Sequence, residues 1–303
     1  MKKSIQGREL IVLDSLDAAA IATYHKTCED SYDSQSELIN RDRVGVLILN
    51  GLSATRAGNG DAAVWWADWF AECGYPSFRL DLPGFGDSVG DPPEDWLDFI
   101  NLGGYASVAS AKVRELVARF NLSGVLLVGH CAGTVSAIFT AAATKECRGL
   151  ILMEPYFQFR QTIRPKIRAQ LSLWATRSRL GGILSSIFDR VKGIRLAFRR
   201  NVLPENANLL LLRRWKEMTS TGMPILILKA PGFKTQGAKP RVGEFDYFKY
   251  AMGLAGRRSQ VVVRSVEGAN HSFANHQARA AVRQHTEEWL NGYFPLRNRK
   301  EVL

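Results

Sequence analysis

Cys131 stands in Gly129-His130-Cys131-Ala132-Gly133, and its surroundings carry the clearest chemical signal in this 303-residue chain. Val125 to Val128, just before it, form an apolar aliphatic run of the kind that makes a buried strand. Thr134 to Phe139, just after it, can begin a helix. Strand, sharp turn and helix around G-x-nucleophile-x-G form a nucleophile elbow. In such a turn, strand and helix pass too close for side chains at Gly129 and Gly133. A thiol at a helix N-terminus gains from the macrodipole and ionises more easily. The expected chemistry is nucleophilic attack by sulfur on an acyl carbonyl.

Such a nucleophile needs a base, an acid to orient the base, and an oxyanion hole. The triad order of nucleophile, acid, histidine puts the base in a loop after the last strand. There the chain supplies Glu267-Gly268-Ala269-Asn270-His271-Ser272-Phe273, so His271 is the expected base. His276 and His285 fall within the expected final helix, and His25 and His130 lack the placement, although His130 adjoins the nucleophile and could influence substrate access. The oxyanion hole would use the backbone N–H of Ala132 and that of Leu52, which follows Asn50-Gly51. The acid is expected beyond the strand at 224–229, where the first carboxylates are Glu244 and Asp246. Asp246 is the first choice and Glu244 the second. Glu154, at the end of the strand at 149–154, is the third.

The elements that would hold these groups alternate regularly. Two strands open the chain over 9–27. Strands follow at 44–50, 77–82, 125–128, 149–154, 224–229 and 259–264. Helices lie between them, one starting at Asp61 as N-cap and burying Val64, Trp65, Trp69 and Phe70, another over roughly 105–120. Further helices are expected around 244–255 and 275–292. Strands alternating with helices imply an α/β fold, a mainly parallel sheet covered on both faces. Residues 1–154 and 223–303 form its core, and 155–222 read as a helical lid inserted over the edge where ligands bind.

Charge singles out the same insertion. Residues 155–222 hold fourteen Lys or Arg against three acidic residues, an excess as large as the net +11 of the whole chain. Such a segment suits an anionic partner. No recognised nucleic-acid-binding module accompanies the charge, so nucleic acid is not the expected partner. Four cysteines without C-x-x-C spacing, a basic start with no apolar stretch behind it, and no run of membrane-spanning length fit a reducing cytoplasm. No metal or cofactor site is expected.

Asn50-Gly51, Arg79-x-Asp81-x-x-Gly84-x-Gly86-Asp87-Ser88, Gly129-x-Cys131-x-Gly133 and Gly268-Ala269-Asn270-His271-Ser272-Phe273 together resemble the α/β-hydrolase superfamily. The resemblance covers roughly 44–155 and 223–292. It is nearest the serine aminopeptidase-like branch that includes the exosortase-system-associated hydrolases, some of which also read G-x-C-x-G. Two features depart from that pattern: Asn270 stands where Asp commonly precedes the histidine, and the loop beyond 224–229 is long and basic. Cysteine at the elbow is also similar to dienelactone hydrolases, polyhydroxyalkanoate synthases and certain acyl-CoA acyltransferases. The resemblance implies an acyl-transfer enzyme, hydrolase or acyltransferase, with a Cys131-His271-Asp246 triad. Its substrate would be an acyl ester or thioester, including one carried by coenzyme A or an acyl carrier protein. Plain carboxylester hydrolysis, or a non-catalytic binding protein whose basic lid holds an anionic partner, are the alternatives.

Overall fold

The computed structural model describes residues 7–28, 30, 43–51, 55–159, 203–230 and 245–296. Eight strands form one sheet: β1 (Arg8–Leu13), β2 (Ala20–His25), β3 (Val44–Leu49), β4 (Ser77–Leu80), β5 (Gly124–His130), β6 (Cys147–Met153), β7 (Pro224–Lys229) and β8 (Gln260–Ser265). Their order is β1-β2-β4-β3-β5-β6-β7-β8. The two pairings that involve β2 are antiparallel, and every pairing from β4 to β8 is parallel. The helices are α1 (Ala62–Glu72), α2 (Trp96–Asn101), α3 (Ala106–Arg119), α4 (Ala132–Ala143), α5 (Leu209–Thr219), α6 (Tyr247–Leu254) and α7 (His276–Tyr293).

The central strands are continuous apolar runs because both of their faces are covered. Side chains alternate across a strand, so each run divides between two cores. Leu47, Leu49, Leu127, Leu150, Leu152, Ile225 and Ile227 meet Val113 and Leu116 of α3, Val135 and Ile138 of α4, and Trp215 of α5. Val46, Ile48, Leu126, Val128, Ile151, Met153, Leu226 and Leu228 meet α1 and α7 through Trp66, Phe70, Val282 and Trp289. β5 lies in the middle of the sheet, so its C-terminal end, where Cys131 follows, is braced from both sides.

The structure differs from the sequence reading in three places. α1 buries Ala63, Trp66, Ala67, Trp69 and Phe70, whereas Val64 and Trp65 are half-buried. Either tryptophan fits an apolar stripe, and packing selected Trp66. Trp65 instead lies under the guanidinium groups of Arg279 and Arg283 from α7, 5.0 and 4.0 Å from its ring centre. Asp61 has a left-handed backbone (φ 55°) and makes no side-chain cap to α1. The third difference concerns the basic segment. Residues 160–202 of the expected lid lie outside the described residues, but α5, near its end, belongs to the core. Leu211, Leu212, Trp215 and Met218 are buried, and the Trp215 indole N–H donates to the Ala251 carbonyl at 2.8 Å.

A buried polar network lies under the loop that follows β3. The Asp81 carboxylate accepts from the backbone N–H and guanidinium of Arg56, and from the Asp87 N–H at 3.1 Å. Arg79 donates through Nε to His25 Nε2 at 2.8 Å and through Nη1 to the Arg56 carbonyl at 2.9 Å. Since His25 Nε2 accepts, its proton sits on Nδ1 and is donated to Asp68 at 2.7 Å. The Arg79-x-Asp81 motif is therefore a clamp on the β3 loop.

Burial, then the charge of Arg79, pushes the His25 pKa down to about 4 from an ordinary 6.5. Between those values the unfolded chain takes up a proton that the folded site refuses. Stability is therefore lost as pH falls from about 6.5 toward 4, and the loss stops below that. Urea midpoints measured across that window should drop, and His25→Gln, which keeps an acceptor for Arg79, should flatten the slope. An unchanged slope in the variant would mean His25 does not carry the effect.

Candidate active site

Cys131 occupies the turn between β5 and α4 with φ 52° and ψ −119°, a conformation that residues other than glycine rarely adopt. Its N–H donates to the Met153 carbonyl at 3.0 Å, and its own carbonyl accepts from the Thr134 N–H at 3.0 Å. Such strain persists only where the surroundings overdetermine it. Gly133 shows how tightly they do: a Cβ there would lie 2.1 Å from the Leu49 carbonyl oxygen. The thiol is half-buried and stands at the N-terminal end of α4. None of the four cysteines is in a disulfide, and Cys147 shows the opposite environment. Burial pushes the Cys147 thiol up to about 12, which leaves it chemically inert.

The end of β3 approaches the same turn. A Cβ on Gly51 would come within 2.8 Å of the Ala132 nitrogen and 2.6 Å of the Gly133 nitrogen. Only a glycine lets the β3 loop pass this close to the N–H groups at the start of α4. The Ala132 N–H, the first expected oxyanion donor, lies at this approach. Leu52, the second expected donor, lies outside the described residues.

His271 lies in the loop between β8 and α7. Phe273, 1% exposed and at φ 51°, anchors that loop in the core beneath it. The Asn270 side-chain oxygen accepts from the Ser272 hydroxyl at 3.0 Å and from the Ala274 N–H at 3.3 Å. Asparagine at this position therefore shapes the His271 loop without adding a charge. The Asn275 oxygen caps α7 by accepting from the Ala278 N–H at 2.7 Å. The His130 ring lies 5.0 Å from the His271 ring, and its Nε2 is 2.7 Å from the His271 carbonyl oxygen.

The carboxylates separate clearly. Asp246 is the N-cap of α6 and accepts from the Lys249 N–H at 2.8 Å. Glu244 lies outside the described residues. Glu154 follows β6 in a left-handed backbone conformation (φ 55°) and is buried. One of its oxygens accepts from the Ala230 N–H, the other from Lys229 Nζ at 3.0 Å. Its charge is felt at His271. Burial lowers the His271 pKa, Glu154 raises it, and Lys229 lowers it. Parallel pairing of β6 with β7, Met153 opposite Leu228, is what brings Glu154 beside Lys229 and Ala230.

A strained residue thus lies between a central parallel strand and a helix, with a histidine loop from the last strand beside that strand's end. The sequence profile of the Alpha/beta hydrolase family matches residues 46–284. The chain belongs to the alpha/beta hydrolase family. None of the curated proteins matches it by sequence. Among solved structures it resembles the alpha/beta hydrolase GrgF from Penicillium sp. sh18 at TM-score 0.61 and 14% identity, covering 96% of this chain and 100% of that one. An esterase from Pyrococcus furiosus aligns at TM-score 0.61 and 12% identity, over 95% of this chain and 91% of that one. DcsB, solved in complex with its substrate analogue, aligns at TM-score 0.59 and 15% identity, over 95% of this chain and 100% of that one. At these identities the likeness bears on the fold. Within the alpha/beta hydrolase fold, the elbow after the central strand and the loop after the last strand are where nucleophile and base reside. Among the described residues no helix is long and apolar enough to cross a membrane.

Proposed function

We propose that this alpha/beta hydrolase is an acyl-transfer enzyme that works through a covalent thioester on Cys131, with His271 as base and Glu154 as the carboxylate acting on it. The observation that carries the reading is the strained backbone of Cys131 at the N-terminal end of α4, the nucleophile's position in this fold. In the first half-reaction Sγ attacks the acyl carbonyl carbon and a C–S bond forms. The bond to the leaving alkoxide or thiolate then breaks, and the leaving group takes the proton that His271 received from the thiol. In the second half, His271 removes a proton from water or another acceptor. The acceptor oxygen or nitrogen attacks the thioester, and the thiolate leaves with its proton returned from the imidazolium. The negative oxygen formed in each half would be held by the Ala132 N–H and its counterpart in the β3 loop.

Glu154 stands here in the role expected for Asp246. It supplies the negative charge felt by the imidazole, while the carboxylate of Asp246 is engaged at the N-terminus of α6.

The test is intact-protein mass measured after brief incubation with S-butyryl-N-acetylcysteamine and with p-nitrophenyl butyrate. The expected result is one added butyryl group, absent from Cys131→Ala. An adduct that persists in Cys131→Ala, or turnover with no effect of that substitution, would overturn the acyl-cysteine reading. Carboxylester hydrolysis alone is the second reading, and it is favoured by the presence of esterases among the solved structures that the chain resembles.

Charge distinguishes the two. The excess of basic residues over 155–222 would raise the local concentration of a substrate carrying phosphates, and salt would weaken that effect. The kcat/KM for butyryl-coenzyme A should therefore fall as ionic strength rises, while that for S-butyryl-N-acetylcysteamine should change little. Reversal of Arg164, Lys166 and Arg168 to Glu should harm the first and spare the second. Equal salt slopes, with a neutral reversal, would assign the basic residues to a solvated face.

A further inference from the structure

We propose that His130 is a positioning residue for the base: its Nε2–H, donated to the His271 carbonyl, ties the loop of the base to the strand that ends at the nucleophile. The inference rests on the reading of His271 as the base. It starts from a point of hydrogen-bond chemistry. A carbonyl oxygen only accepts, so at 2.7 Å the Nε2 of His130 must carry a proton, and the neutral ring must leave Nδ1 without one. Burial supports this state, because it pushes the His130 pKa down to about 4 against the hydrogen bond to the His271 carbonyl and the weaker effect of the Glu154 charge. At neutral pH the ring therefore adds no positive charge beside the base.

The position of the bond gives it its effect. His130 is the last residue of β5 and is joined by a peptide bond to Cys131. Its acceptor is the carbonyl of His271 itself, 141 residues away in the chain. One side chain thus links the backbone of the nucleophile to the backbone of the base. Other contacts shape the loop and moor it elsewhere: Asn270 folds it on itself, and the Val266 N–H donates to the Lys229 carbonyl at 2.8 Å, which joins it to β7. The bond from His130 sets the loop against the end of β5. The ring is held for this purpose, edge-on to Phe273 with centres 6.2 Å apart. Groups that face it from the packed elements are His271 and Phe273 of the base loop, Glu154 beyond β6, and Asn50 after β3 and Asn59 before α1, which line the same pocket.

Displacement of a base by about an ångström costs on the order of a hundredfold in rate. His130→Phe keeps a ring and removes the donor, whereas His130→Gln keeps an N–H at similar reach. With p-nitrophenyl butyrate as probe, His130→Phe should lower kcat about 10–100-fold while KM stays within about threefold. His130→Gln should recover most of the loss. In a His271→Ala background, His130→Phe should cost nothing more, because its effect passes through the base. Normal kcat in His130→Phe, or equal losses in the Phe and Gln variants, would overturn the proposal. If His271→Ala itself left kcat unchanged, the reading of the base would fall first, which separates the two failures. A measurement on the unaltered protein needs no variant to fold. Its ¹⁵N imidazole spectrum at pH 7 should show His130 neutral with the proton on Nε2, and a proton on Nδ1 alone, or on both nitrogens, would overturn the proposal.

Discussion

His271→Ala is expected to lower kcat by at least about a hundredfold, because general bases contribute roughly 10²–10⁴. The loss should fall on kcat more than on KM, since the imidazole moves its proton in the transition state and contributes little to holding the ground state. The same substitution should alter the thiol. With His271 as the proposed base, its imidazolium and the N-terminal end of α4 should both favour a thiolate at Cys131. With the imidazole gone, the pH at which iodoacetamide alkylates Cys131 at half its maximal rate should rise toward the ordinary thiol value of about 8.5. Cys131→Ala gives the background from Cys28 and Cys73, which are not fully buried. An alkylation profile that is identical with and without His271, together with kcat within about threefold, would remove His271 from the chemistry.

The second large effect is expected at Glu154. Glu154→Gln should lower kcat about 10–100-fold, less than the loss when a serine triad loses its acid, because a thiolate and imidazolium need less support. Glutamine keeps an oxygen for the Ala230 N–H and removes the negative charge. That charge opposes the lowering of the His271 pKa by burial and by Lys229. Without it the imidazole pKa falls further, so the limb of kcat/KM that reports the imidazole should move to lower pH. Lys229 would then be left as a half-buried cation, so the double variant with Lys229→Met checks that the loss comes from the base and not from that stranded charge. Asp246→Asn is the control. Asparagine caps a helix as well as aspartate does, so activity and melting temperature should both change little. A large loss in Asp246→Asn with Glu154→Gln near normal would return the acid role to Asp246.

Both predictions trace to the way one sheet gathers distant segments. The Glu154 carboxylate, the Ala230 N–H and the Lys229 ammonium meet because β6 and β7 run parallel in a set register, with a left-handed residue turning the chain at the end of β6. The cost of that conformation is accepted at several points along this edge, at Cys131, Glu154 and Phe273. These three residues belong to the turn, the carboxylate and the loop to which we assign nucleophile, acid and base.

Much of this was legible in the residues alone, for local reasons. An apolar run followed by G-x-C-x-G allows few structures besides strand, tight turn and helix, because steric exclusion at Gly133 acts over a few residues. The alternation of apolar runs with amphipathic stretches likewise determines a parallel sheet covered on both faces. His271 could be singled out because it alone among the five histidines follows the last strand in a glycine-containing loop. What tertiary structure decided were choices between residues that satisfy the local pattern equally well. Trp65 and Trp66 both fit the stripe of α1, and packing against β3 and β5 took Trp66. The helix Leu209–Thr219 looks like part of a basic insertion until Trp215 is seen buried beside α4. Asp246, at the start of α6, and Glu154, at the end of β6, were both candidates by position, and our choice of Glu154 rests on the β6–β7 register, which lies beyond the sequence. The His130 bond was beyond the sequence for the same reason. Its partners are 141 residues apart, and a hydrogen bond to a carbonyl leaves no mark on the type of the residue that accepts it.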